Sequence, residues 1–88
     1  QGNVQARSAQ LLAGLKDLPT VQAVRGSGLM IGLVLKDADT LQQVMQPLRE
    51  AHVLVLKAGT QVLRLLPPLT ITEEETAAGI AILRSILG

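Results

Sequence analysis

Phenylalanine, tryptophan and tyrosine are all absent from this 88-residue chain, although 48% of its residues are hydrophobic. Whatever core the chain builds must therefore be aliphatic. The same absence removes functions that rest on ring stacking, such as reading single-stranded RNA, holding nucleobases or caging quaternary ammonium groups. The length is that of a single domain over residues 1–88, well below the size at which one core splits into two.

Charge and cysteine content exclude more. Eight Lys and Arg against seven Asp and Glu leave a net charge of +1 with no basic run, so no nucleic-acid partner is expected. With no cysteine there are no disulfides, thiolate nucleophiles or Cys-ligated metals, nothing argues for an oxidising compartment, and a cytoplasmic location is expected. A single histidine, His52, is too few for a protein-only zinc site. The longest uninterrupted apolar run, residues 53–56, has four residues, which provides neither a membrane span nor the apolar core of a signal peptide. The chain opens at Gln1, not Met, and its first apolar pattern starts almost at once, as expected of a piece of a longer protein.

Periodicity divides the chain into seven elements. Val4, Leu11, Leu12, Leu15 and Leu18 recur at helical spacing and predict a helix over residues 3–18, closed by Pro19, with Lys16 in its last turn. From Val21 the period becomes two, with Val21, Ala23 and Arg25 facing one way and Gln22 and Val24 the other, until Gly26-Ser27-Gly28 marks a turn. Residues 29–35 are almost wholly apolar around Gly32. They read as a central strand covered on both faces or crossed closely by another backbone.

Asp39/Gln42 and Thr40/Gln43 both offer capping boxes for a helix over about residues 40–51, within which Pro47 predicts a kink or an early end at a cost of ~3 kcal/mol. Residues 53–56 and 62–66 are short strands joined by a hairpin-length loop, and Pro67-Pro68 stops the second. Thr72 and Glu75 form a capping box for a last helix over residues 73–87, with Ala77, Ile80, Leu83, Ile86 and Leu87 on one face. The order αββαββα predicts an α+β fold, a small, mostly antiparallel four-stranded sheet covered by helices.

Most chemistry-bearing residues have structural explanations. Gly26-Ser27-Gly28-Leu29-Met30-Ile31-Gly32 is spaced G-x-G-x-x-x-G and leads into a strand, so no helix N-terminus is available to hold a pyrophosphate. His52 falls at a helix end without an orienting acid or a nucleophile. Glu73, Glu74 and Glu75 point in different directions from consecutive helical positions, and a metal site needs convergent oxygens. Lys57 lacks the phosphate loop and partner acid that a Schiff-base lysine requires. No metal site and no catalytic residue is assigned.

Arg64 stands apart. It is the one polar side chain of Val62-Leu63-Arg64-Leu65-Leu66, held mid-strand just before Pro67-Pro68. Burying its guanidinium without a partner costs several kcal/mol, so it either faces solvent on the wet side of an antiparallel sheet or meets an anion. A rigid strand is a good mount for a fork that grips a carboxylate through two parallel hydrogen bonds.

Three segments carry a family resemblance: Val24-Arg25-Gly26-Ser27-Gly28-Leu29-Met30-Ile31-Gly32, Val53-Leu54-Val55-Leu56-Lys57-Ala58-Gly59, and Val62-Leu63-Arg64-Leu65-Leu66-Pro67-Pro68-Leu69 followed by Ile71-Thr72-Glu73-Glu74-Glu75. Together they resemble the C-terminal small domain of the class III aminotransferases, enzymes that use pyridoxal 5'-phosphate. The resemblance implies that Arg64 binds the substrate α-carboxylate. It also implies an ω-amino acid of the N-acetylornithine type as donor, 2-oxoglutarate as acceptor, and a place in arginine biosynthesis. The Schiff-base lysine, the aspartate facing the pyridine nitrogen and the phosphate-binding groups are then expected on a large domain and on the second subunit of a homodimer, leaving these 88 residues inactive alone. The rival expectation is a stand-alone α+β amino-acid-binding regulatory or interaction module, whose usual strand-first order differs from the helix-first order here.

Overall fold

A computed structural model describes residues 2–28 and 30–88, apart from the side chain of Ser27. Its elements run α1 (Gly2–Leu15), β1 (Val21–Ser27), β2 (Met30–Leu35), α2 (Ala38–Glu50), β3 (Val55–Lys57), β4 (Val62–Leu65) and α3 (Glu73–Leu87). This is the α+β order expected. The four strands lie in the order β1-β2-β4-β3, every neighbouring pair antiparallel, so β2 is central as expected. The expected first residue of β2, Leu29, lies outside the described residues.

The helices cover one face only. Ile31, Leu33 and Leu35 of β2, Leu63 and Leu65 of β4 and Val55 of β3 are buried together with Leu11 and Leu15 of α1, Leu41, Val44, Met45 and Leu48 of α2, and Leu83 and Leu87 of α3. The core is wholly aliphatic. On the other face Met30 is 66% exposed, and Gly32 and Val34 are only partly covered. The expectation that β2 is covered on both faces is thus corrected: its burial alternates, as in a sheet packed on one side.

The phase of β1 is corrected too. Val21 pairs with Leu35 and Ala23 with Val34, so Gln22 is an extra residue, a bulge, and the alternation restarts after it. Val21 and Val24 both turn to the core, while Ala23 and Arg25 share the open face with Val34 and Gly32. Ser27 pairs with Met30, and Gly28 between them has φ +62, a conformation that favours glycine in a tight hairpin turn.

Helix boundaries follow local chemistry. The first helix stops at Leu15, three residues short of the expected end, because Leu18 precedes Pro19 and is biased away from helical backbone. Leu18 stays buried in the turn that follows, its carbonyl accepting from the Val21 amide at 3.0 Å. Asp17 pairs there with Arg84 of α3 at 2.8 Å, which holds its carboxyl below the usual range.

The second helix is capped by Asp37, not by Asp39 or Thr40. Its carboxylate accepts from the Thr40 amide at 2.7 Å and from the Thr40 hydroxyl at 2.6 Å, and these bonds lower its pKa. The helix runs through Pro47 to Glu50 instead of stopping early. Proline denies the Gln43 carbonyl its amide, but Gln43 is exposed to water, while Leu48 beyond it is fully buried and holds the last turn in place. The turn closes on bonds from the His52 amide to Arg49 and from the Val53 amide to Leu48, both 3.0 Å, with His52 at φ 62.

The third helix has the expected bounds and the expected capping box. Thr72 Oγ1 accepts from the Glu75 amide at 3.0 Å, and Glu75 Oε1 accepts from the Thr72 amide at 2.9 Å. Its inward stripe starts at Thr76, not Ala77. The Thr76 hydroxyl is buried and donates to the Thr72 carbonyl at 2.8 Å, while Ala77 is exposed.

Two predictions concern stability. Pro47→Ala restores a helical hydrogen bond and removes a ring that crowds the preceding turn, and urea melts are expected to show about 1–3 kcal/mol of added stability. A loss would show that packing of the ring outweighs the backbone. For Asp37, whose folded pKa is depressed, the stabilisation is full above its unfolded value and lost as pH falls through the lower folded one. Asp37→Asn should therefore flatten the dependence of the unfolding midpoint on pH below about pH 4, and an unchanged slope would contradict the cap's role.

Candidate functional site

Arg64 sits at the middle of β4, between Leu63 and Leu65, both buried, and projects to the open face. Its two neighbours in the core pin the backbone, and Leu66 continues the ladder by donating to the Leu54 carbonyl at 3.0 Å before Pro67 ends it. Across the sheet Arg64 is paired with Gly32 of β2 on one side and Leu56 of β3 on the other. Gly32 is in turn paired with Arg25 of β1. The row Arg25–Gly32–Arg64–Leu56 therefore runs straight across four strands, with its side chains on one face.

Two strand spacings put the α-carbons of Arg25 and Arg64 about 10 Å apart. Between them lies a groove of about 240 Å³, walled by Met30, Val34 and Val62 and floored by Gly32. No acidic residue lines it, and among the described residues neither arginine side chain makes a hydrogen bond or ion pair. Two exposed guanidinium groups that share a groove with no acidic residue among the described residues are suited to an anion, and their planar fork suits a carboxylate.

The two glycines beside Arg25 differ in what they do. A Cβ on Gly26 would run into the Ile31 side chain and come within 3.0 Å of the Met30 carbonyl, so packing requires glycine there. A Cβ on Gly32 would meet only Val62 at 3.7 Å and the Arg25 carbonyl at 3.8 Å, ordinary contacts. Nothing in the domain's own packing demands glycine at position 32, where it costs a strand about 0.5–1 kcal/mol relative to alanine.

The remaining sequence candidates do not converge on this groove. Lys57 is paired with Leu63 and so belongs to the opposite face, at the edge of the sheet. His52 lies beyond the end of α2, beside a larger cleft of about 340 Å³ formed by α3, the end of β4 and Pro67-Pro68. That cleft is apolar except for His52, Thr76 and Glu75, and Glu75 is engaged in its cap. Glu73 and Glu74 are exposed, and among the described residues no group of three or more His, Cys, Asp or Glu is placed to hold a metal ion. Nothing in the sequence alone marks Arg25 and Gly32 as functional. Their signal is an arginine on one strand and a mid-strand glycine on the next, which becomes informative only once the register is known.

Comparison with known proteins agrees with this architecture. The family model of the class-III aminotransferases matches residues 1–87. The chain is 47% identical over 68 residues to the acetylornithine aminotransferase of Lactococcus lactis and 42% identical over 84 residues to that of Streptococcus mutans, covering 77% and 96% of this chain but 18% and 22% of those proteins. Superposition on the crystal structure of N-acetylornithine aminotransferase from Stenotrophomonas maltophilia gives a TM-score of 0.82 at 35% identity, over 97% of this chain and 25% of that one. This chain belongs to the class-III aminotransferases. It spans about a fifth of the length of the curated relatives it matches.

The cofactor of this family is pyridoxal phosphate, and the described residues do not fit it. Neither concavity is lined by a lysine, and Lys57 stands on the wrong face of the sheet. Among the described residues no helix is long and apolar enough to cross a membrane.

Proposed function

We propose that this chain is the C-terminal small domain of an acetylornithine-type aminotransferase and that Arg64 holds the substrate carboxylate. Pyridoxal phosphate supplies the electron sink for transamination, and its lysine, its acidic partner and its phosphate cradle lie in a large domain and a second subunit outside these residues. The observation that carries the reading is the position of Arg64. A guanidinium without a partner among the described residues stands on a pinned strand, on the open face of the sheet, in a chain that belongs to this family.

N-acetylornithine as donor and 2-oxoglutarate as acceptor both carry an α-carboxylate, which adjoins the reacting carbon in 2-oxoglutarate and lies at the other end of the chain from the reacting ω-amino group in N-acetylornithine. One fork can hold each substrate by that carboxylate in turn, and a mount on a strand fixes where the carboxylate sits. The names of the matched relatives support acetylornithine as donor. The setting proposed is arginine biosynthesis by a cytoplasmic homodimer.

In the full-length enzyme Arg64→Lys removes a bidentate, charge-assisted contact worth about 1.5–3 kcal/mol, so kcat/KM is expected to fall by about one to two decades for both donor and 2-oxoglutarate. Unchanged kinetics with both substrates would overturn the assignment. The 88-residue chain alone is expected neither to transaminate nor to develop a visible absorbance band on titration with pyridoxal phosphate, and such a band would show that it carries its own cofactor site.

A further inference from the structure

We propose that Arg25 is a second carboxylate-binding residue acting beside Arg64, and that Gly32 is the bare floor that lets one substrate carboxylate lie between the two guanidinium groups. The inference rests on the reading of Arg64 given above and extends it to two residues that reading does not use.

Three observations carry it. The register is the first: Arg25 and Arg64 are each paired directly with Gly32, from opposite sides, so they stand in one row on one face and line one groove. Charge is the second. Two like charges in one groove repel, no acidic residue lines it, and neither arginine makes an ion pair among the described residues; an anion placed between them is attracted by both. The third is the space over Gly32, which the domain's own packing does not claim. Any larger side chain at that position would occupy the groove from below without being needed by the core.

A groove of about 240 Å³ with cationic ends and apolar walls fits a small carboxylic acid. The carboxylate comes from the substrate in this proposal, although an acidic side chain elsewhere in a longer protein has the same chemistry. The test separates these sources.

In the full-length aminotransferase, binding of glutarate is measured by calorimetry, with steady-state kinetics and thermal unfolding alongside, for Arg25→Gln, Arg25→Lys, Gly32→Ala, Gly32→Val and Arg64→Gln. Arg25→Gln is expected to weaken glutarate about ten- to hundredfold and to raise KM for both substrates similarly, with a smaller change in kcat. Arg25→Lys should recover part of that loss because it keeps the charge. Gly32→Val should weaken glutarate with little change in the unfolding midpoint. If the valine variant does not fold, Gly32→Ala carries this arm, since its methyl group meets only ordinary contacts.

Wild-type affinity in Arg25→Gln and the Gly32 variants, with affinity lost in Arg64→Gln, overturns the proposal and leaves Arg64 in its role. Wild-type affinity in all variants overturns both readings. A lowered unfolding midpoint in Arg25→Gln with unchanged glutarate affinity makes the partner of Arg25 a protein carboxylate, and likewise overturns the proposal.

Discussion

Burial of alternate residues of the central strand is the constraint on which the rest of this domain depends. Ile31, Leu33 and Leu35 are fully enclosed beneath helices, and each such side chain contributes about 1.5–3 kcal/mol when removed from water. Because side chains alternate along a strand, enclosing these three sends Met30, Gly32 and Val34 to the opposite face. The same alternation in β4 buries Leu63 and Leu65 and sends Arg64 outward. A slip of one residue in β4 would place the arginine in the core and its leucines in water, and one in β2 would expose Ile31, Leu33 and Leu35, which makes the register strongly specified.

From that constraint follows a division of labour between the two faces. Leucine, valine, isoleucine and methionine fill the helical side without any aromatic residue, helped by the side-chain caps of Asp37 and Thr72 that start α2 and α3. The open side carries little that stabilises the domain: two arginines, a glycine and apolar side chains that stay largely exposed. Large apolar residues, including Leu54, Leu56 and Leu69, are exposed as well. Arg64, the residue proposed to hold substrate, stands on the open face, and the stability that holds it in position comes from the buried one.

Local signals are legible in the sequence where they act within a few residues. The Thr72–Glu75 box sits where the sequence places it because both of its hydrogen bonds are made between residues three apart. The cap at Asp37 is less legible, because it needs only an acceptor and an amide and has Thr40, not Glu or Gln, at the third position of the helix. The helix continues past Pro47 because a buried Leu48 and the bonds closing the last turn hold it there, contacts that a lone proline in the sequence does not reveal. The bulge at Gln22 carries no local mark. It appears only when Val21 and Val24 must both meet the core, and it sends Arg25 to the face of Arg64.

The sequence by itself determined the αββαββα order, the aliphatic core, the last helix with its cap, and the isolation of one arginine in an apolar strand. These are properties of spacing and composition, and they survive whatever packs against them. Tertiary structure decided which strands are neighbours, which face the helices cover and where the extra residue in β1 falls. Those choices depend on contacts between residues far apart in the chain. Only they bring Arg25, Gly32 and Arg64 into one row, because strand pairing joins side chains that no local pattern connects.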